Sequence, residues 1–306
     1  MIPKFVEYET ASKAMPDKAM PQQLRYLLNE IEKTPDHHFD GSKYPLVTAN
    51  IFTKVWVLVS DPEVASDLYN KHNKWIDKCD DSARSFDALL GSSLLFGPTD
   101  EDWRRKRKAC SHAFYKDRLH HMLEVLKGKI NQRVDAWNNE IEASTTGSTD
   151  INMALVFEET FADNLIHIAF GESLAGEKLE VDYLLDKDTR KTEKRTLGIR
   201  DALTNTFTLV EMSTLARFED PISMIAFFTF DISLDRHPFC QLARANATIV
   251  RNYMQEYITK RKEGKVKSTV KDVDMLSLFL ESPDIFTDEF IIDELMDFFL
   301  AGTLTT

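Results

Sequence analysis

Three cysteines, Cys79, Cys110 and Cys240, are all that this chain of 306 residues contains. They are too few and too scattered for a disulfide framework or a zinc site, and a reducing environment is the simpler reading. Glycine and proline are also sparse, at 10 each, which argues against a many-turned sandwich or barrel. No apolar run approaches the ~18 residues that a membrane-spanning helix needs, and the polar start, Met1–Thr10, does not read as a signal peptide. The nearest candidate, Phe290–Leu300, carries Asp293, Glu294 and Asp297. Cations are outnumbered, 38 Lys and Arg against 50 Asp and Glu, and that balance disfavours nucleic acid as a partner. The chain as given reads as soluble, or as touching a membrane only peripherally.

Apolar bulk is plentiful. With 43% hydrophobic residues, 20 of them Phe, the chain can bury a large core. The clearest strand signal is Tyr44–Val59, ending in Val55–Val59. A helix is expected to follow, with Ser60 as cap, Glu63 completing a capping box and Pro62 in the first turn. Helical periodicity then dominates, over roughly 62–72, 100–127, 130–142, 151–169, 200–216, 238–262 and 288–306. Gly176–Gly198 and Lys260–Asp274 mix acids and bases without an apolar stripe and read as surface loops. The expected fold class is mainly α with a small amino-terminal sheet.

Two helices carry patterns that point to chemistry. In the first, Thr99 is a plausible cap, and acids fill the turn ahead of Trp103-Arg104-Arg105-Lys106-Arg107-Lys108. Residues 103, 107, 110 and 114 share one face. Trp103, Cys110 and Phe114 are of the kind that point inward, and a guanidinium among them needs an anion to meet it. The indole N–H and the guanidinium of Arg107 together suit a carboxylate. The same residues also suit a core anchor beside an arginine that snorkels or pairs with a protein acid. In the second helix Thr287 is the cap, with Asp288 and Glu289 in the first turn. So much of its girth is apolar that it should be central and buried. It contains Ala301-Gly302-Thr303-Leu304-Thr305-Thr306, and a glycine inside a helix needs a packing or ligand-approach reason.

Trp103-x-x-x-Arg107, followed by Ala113–Phe114, resembles the C-helix of the cytochrome P450 family. Ala301–Thr306 resembles that family's central I-helix, with its Ala/Gly-Gly-x-Asp/Glu-Thr motif. The order of the motifs agrees with the family, as do Val55–Glu63, Leu89–Gly97, Phe161–Gly171 and Asp274–Glu281 between and around them. The resemblance runs from about Tyr44 to Thr306. It implies a P450-like helical array, truncated, with residues 1–43 as a polar, helical leading segment and 44–306 as the first part of the catalytic domain.

The resemblance also implies a function: a haem-dependent monooxygenase that inserts one atom of dioxygen into an apolar organic substrate. Trp103 and Arg107 would hold a haem propionate, Ala301 and Gly302 would let their helix pass close over the haem, and Thr305 would orient dioxygen and its protons. Leu304 stands where the family has an acid, and leucine cannot relay a proton. Electrons would come from NADPH through a flavoprotein reductase, docked on Arg104, Arg105, Lys106 and Lys108. A solvated face balancing the preceding acids accounts for those four bases equally well. The apolar stretch 222–230 is expected to be a lid or a membrane-dipping element. The family's location is the cytosolic face of the endoplasmic reticulum, although a chain with no transmembrane anchor could equally be cytoplasmic.

No part of the chain matches the family's Glu-x-x-Arg helix or its cysteine-bearing haem loop. None of the three cysteines fits that loop, so no metal ligand is assigned, and His37–His38 and His120–His121 read as surface residues. The chain as given is therefore expected to be an inactive fragment. The alternative is a catalytically inactive helical protein that acts by binding, competing for the electron donor or ligand.

Overall fold

The computed structural model describes residues 46–51, 54–59, 61–171, 174, 176–268 and 274–303. The leading segment 1–43, Ser60, His37–His38, Leu304 and Thr305 lie outside them. The elements in order are β1 (Leu46–Ile51), β2 (Lys54–Val59), α1 (Pro62–Lys71), α2 (Asp80–Leu90), α3 (Glu101–Cys110), α4 (Lys116–Ala143) and α5 (Met153–Phe170). There follow β3 (Lys178–Asp186), β4 (Lys191–Gly198), α6 (Ile199–Glu219), α7 (Pro221–Phe230), α8 (Pro238–Lys262), α9 (Met275–Leu280) and α10 (Asp288–Thr303). The chain is mainly helical, as expected, and divides into two compact units. One comprises the residues up to Asp77 with Met224–Ile232, and the other comprises Lys78–Ser223 with the rest from Ser233.

In the first unit β1 and β2 pair antiparallel, Leu46 opposite Val59 and Ile51 opposite Lys54. The helix that follows is capped one residue later than expected. The Asp61 carboxylate accepts the N–H groups of Glu63 at 2.8 Å and Val64 at 3.0 Å. Pro62 then occupies the first helical position, where its missing N–H costs nothing.

The second unit is built around α10, which lies against α2, α5 and α8. Ile291, Ile292, Leu295, Met296 and Phe299 are all buried, and Phe299 stacks on Phe207 of α6 with ring centroids 6.0 Å apart. Thr287 caps α10 as expected, accepting the Phe290 N–H at 3.2 Å.

Several expectations need correcting here. Residues 100–127 are not one helix: α3 ends in a 3-10 turn over Ser111–Phe114, and Tyr115 is extended. α4 then runs unbroken through Gly128, whose surroundings are open. Its apolar residues keep step across that glycine, which costs about 1 kcal/mol relative to alanine. The stripe of Leu119, Leu123, Ile130, Val134 and Ile141 is left exposed. Residues 176–198, expected as loop, form the β3–β4 hairpin. Leu179, Val181 and Tyr183 alternate with Glu180 and Asp182, and Val181 is fully buried. Two buried asparagines complete the outer edge of β3. Asn205 accepts the Leu184 N–H at 3.0 Å and donates to the Asp182 carbonyl at 2.9 Å. Asn246 accepts the Asp182 N–H at 3.0 Å and donates to the same carbonyl at 2.8 Å. Side-chain amides thus take the place of a third strand.

Helix α2 has no counterpart among the expected elements. It ends at Gly91, whose φ is +46°, and a Cβ there would overlap the carboxylate of Asp293 on α10. Gly91→Ala is expected to lower stability by about 1–3 kcal/mol, through backbone strain and loss of that close approach. Thermal unfolding of the purified chain measures it, and an unchanged midpoint would contradict the account.

Candidate haem-side site

α3 is capped by Asp100, not Thr99: its carboxylate accepts the Trp103 N–H at 2.7 Å. Thr99 Oγ1 instead accepts from Lys78 at 3.0 Å. Lys78 Nζ also lies 4.1 Å from the Trp103 ring centroid, a cation–π contact. The indole N–H donates to the Leu94 carbonyl at 2.9 Å, and the ring packs half-buried against the core. Trp103 is therefore a core anchor with its single donor in use.

The expected inward stripe on α3 holds only in part. Cys110 is buried, whereas Arg107 and Phe114 are exposed. The 3-10 turn rotates Phe114 off the α-helical register, since three residues per turn replace 3.6. Among the described residues no acid pairs directly with Arg107, although its charge reaches Glu294 and Cys110.

Three contacts bring this segment beside α10. Lys106 Nζ lies 4.4 Å from the Phe290 ring centroid, Cys110 lies within electrostatic reach of Glu294, and the Phe114 ring is 5.6 Å from that of Phe298. Ala301, one turn beyond Phe298, is exposed. Gly302 has a packing reason of its own: a Cβ there would overlap Leu165 Cδ1 of α5. The close approach observed at Gly302 is thus one to α5. Trp103 and Arg107 belong to one end of the α3–α10 contact, and Ala301 and Gly302 lie beyond the other. A cavity of about 470 Å³ lies elsewhere, lined by Glu159, Leu184, Arg195, Arg200 and neighbours from α5, α6 and the β3–β4 hairpin.

Other expected residues divide. Of the four bases on α3, Arg105 and Lys106 are held by Asp102 at 2.8 and 2.7 Å, which favours the solvated-face reading for those two. Arg104 and Lys108 are exposed. In α7 Phe227 and Phe228 are buried, while Ile222, Ile225 and Phe230 are exposed. A membrane-facing surface there would rest on the second group. No helix among the described residues is long and apolar enough to cross a membrane, and no group of three His, Cys, Asp or Glu among them could hold a metal ion.

The sequence reading missed the role of the acids in α10. Asp293, Glu294 and Asp297 are buried and turned toward the loop between α2 and α3. Asp293 accepts the Ser92 N–H at 2.7 Å and pairs with Arg251 of α8 at 2.7 Å. Glu294 accepts the Leu94 N–H at 3.0 Å, and Asp297 the Leu95 N–H. Burial is the main cause that pushes Glu294 up to about 7 and Asp297 up to about 6. The available signal was their spacing, which sets all three toward one side of an otherwise apolar helix.

The fit to a haem can be judged from these residues. Arg107 is exposed and has no direct ion-pair partner among the described residues, which suits its guanidinium to a propionate. Ala301 and Phe114 are exposed, and Phe114 packs against Phe298. Trp103 could donate only by leaving Leu94. The residues present therefore fit the propionate side of a haem. Burial pushes the Cys110 thiol up to about 12 and raises that of Cys240, which donates to the Ser213 carbonyl at 3.3 Å. Both are buried thiols that stay protonated, as burial is the largest cause of each shift.

A family model described as Cytochrome P450 matches residues 36–306. The chain is 22% identical over 273 residues to the (+)-piperitol/(+)-sesamin synthase of Sesamum radiatum, covering 87% of this chain and 49% of that protein. It is 25% identical over 302 residues to cytochrome P450 94A1 of Vicia sativa, covering 94% and 50%. The fold is similar to the crystal structure of a cytochrome P450 (CYP102L1), with TM-score 0.58 at 14% identity over 93% of this chain and 56% of that one. It is also similar to the heme domain of a cytochrome P450DA mutant, with TM-score 0.56 at 17% identity over 92% and 53%. The chain spans about half the length of the curated relatives it matches. A helical array with α3 beside a buried α10, matched by one family over nearly all its length, places this chain in the cytochrome P450 family.

Proposed function

We propose that the chain is the amino-terminal part of a haem-dependent monooxygenase that inserts one atom of dioxygen into an apolar organic substrate. On this reading none of Cys79, Cys110 and Cys240 is the axial ligand. One observation carries the reading: a cytochrome P450 family model matches residues 36–306, and within that match Arg107 stands exposed on α3, open to a propionate. The uncovered apolar stripe of α4 supports the fragment reading, because such a face is ordinarily covered by further structure.

When bound, the haem supplies dioxygen activation at its iron. Arg107 binds a propionate through its fixed fork, and Trp103 adds a donor once Leu94 gives it up. Ala301 has a side chain small enough to leave room beside Phe298. Thr305 would hold a proton for the dioxygen chemistry, and Leu304, its neighbour in sequence, would offer no relay. Electrons arrive from NADPH through a flavoprotein reductase that docks on the exposed bases Arg104 and Lys108. Ile222, Ile225 and Phe230 make the peripheral membrane contact. Leu304 also favours a second reading, a binding protein that occupies the reductase without turnover.

The purified chain, titrated with haem, reduced and exposed to carbon monoxide, is expected to show no thiolate-type absorption band. Arg107→Ala should weaken haem binding roughly ten-fold, the size of one charge-assisted hydrogen bond. A thiolate band from these residues would overturn the fragment reading. Equal haem affinity of the variant would overturn the role of Arg107.

A further inference from the structure

The loop 91–97 is held from two sides. From α10, three buried carboxyl groups take its backbone N–H groups: Asp293 that of Ser92, Glu294 that of Leu94 and Asp297 that of Leu95. On the α3 side, its Leu94 carbonyl takes the indole N–H of Trp103 at 2.9 Å. Glu294 and Trp103 thus grip the N–H and the carbonyl of one residue. Turns of its own keep the loop compact, the Gly97 N–H reaching the Ser93 carbonyl at 2.7 Å. Phe96 stacks on Phe86 with centroids 5.7 Å apart.

Charge in this cluster is unbalanced. The groups facing the three carboxyls are Arg251 of α8, Arg107 and the Cys110 thiol of α3, and Glu289 one turn back on α10, while Lys106 reaches the thiol. Among the described residues only Arg251 makes a direct ion pair with the cluster, at Asp293, and it divides itself by donating to the Leu89 carbonyl at 2.8 Å. When all three carboxyls are ionised, Glu294 and Asp297 have no described cation in contact and repel each other in a dry site.

We propose that loop 91–97 is a proton-controlled latch on Trp103: the carboxyl groups of Asp293, Glu294 and Asp297 hold its backbone, its Leu94 carbonyl holds the indole N–H, and ionisation of the cluster releases both. Glu294 is the decisive member, because it binds the residue whose carbonyl binds Trp103. The latched loop keeps Glu294 out of water, and release restores its hydration, so a rising pH favours the released state. The indole has one donor. A haem propionate and the Leu94 carbonyl therefore exclude one another at Trp103, which makes these acids positioning residues for the haem edge. That last consequence rests on the function proposed above, whereas the latch does not.

The test uses the full chain without haem and follows the indole N–H resonance of Trp103, assigned with Trp103→Phe. Its exchange with solvent, divided by the base-catalysed rate of a free indole N–H at the same pH, is expected to rise roughly ten-fold through a transition near pH 7. Glu294→Gln should abolish the transition and keep that ratio low throughout, since the amide oxygen still accepts the Leu94 N–H and never ionises. Glu294→Ala should give a high ratio at every pH. A pH-independent ratio in the parent chain, or the same transition in Glu294→Gln, would overturn the latch. Because haem is absent, neither result bears on whether Arg107 and Trp103 bind a propionate.

Discussion

Asp274→Ala is expected to lower the stability of the second unit by about 3–5 kcal/mol, the loss that follows when one partner of a buried ion pair is removed. Asp274 and Arg261 form such a pair, with side chains 0% and 6% exposed. The carboxylate also caps α9, accepting the Ser277 N–H at 2.7 Å and its hydroxyl at 3.0 Å. Arg261 in turn donates to the Phe170 carbonyl, the last residue of α5, at 3.0 Å. Gly171 follows in the left-handed region at φ +73°, and a Cβ on it would overlap Asp274 Oδ2. One carboxylate thus ties together the ends of three helices, α5, α8 and α9. Removing it leaves a guanidinium buried without an anion and a helix without its cap. Asp274→Asn keeps the cap and loses the charge, so it should cost less than the alanine. Urea unfolding of both variants checks this, and a loss under ~1 kcal/mol for Asp274→Ala would contradict the account.

Helices whose stability comes from a long apolar face were legible in the sequence: α5, α6, α8 and α10 fall within a few residues of their expected spans. Elements decided by single polar contacts were not. The caps at Asp61 and Asp100 displace Ser60 and Thr99 because an aspartate followed by free N–H groups is at least as good an acceptor as a hydroxyl. The β3–β4 hairpin hides behind its charges, since only Leu179, Val181 and Tyr183 alternate clearly. Its edge partners, Asn205 and Asn246, come from α6 and α8, a tertiary contact that no local pattern carries.

The candidate site was legible to a similar degree. Trp103 and Arg107 stand on a helix beside α10, as the motif order suggested. Their exposure and their partners depend on the 3-10 turn at Ser111–Phe114 and on the Leu94 carbonyl, neither of which spacing alone reveals. Asp293, Glu294 and Asp297 looked only like an argument against a membrane span. Their burial became visible once loop 91–97 supplied the N–H groups that make buried acids tolerable.

Those acids give the chain an unusual dependence of stability on pH. Carboxylates that are paired in a folded protein ordinarily stabilise it as the pH rises. Here burial dominates and reverses the sign. Glu294 moves from its ordinary 4.5 up to about 7, Asp297 from 3.8 up to about 6, and Asp293 is raised as well. Between the unfolded and folded values the native state binds more protons than the unfolded one, so unfolding becomes easier as the pH rises. The favourable contribution is complete below about pH 4 and is lost as the pH climbs through 6 and 7. A tenfold change in proton affinity corresponds to about 1.4 kcal/mol, and the neighbouring acids titrate as a coupled set, so the joint loss is expected to be about 2–4 kcal/mol. Urea unfolding midpoints should therefore fall between about pH 5 and pH 8, by more than the remaining groups account for. Glu294→Gln should remove the larger part of that fall and be more stable than the parent at pH 8, because a neutral amide meets the same Leu94 N–H without a buried charge. If the variant follows the parent's pH profile, Glu294 is already solvated in the folded chain, and its burial in the α10 cluster is wrong.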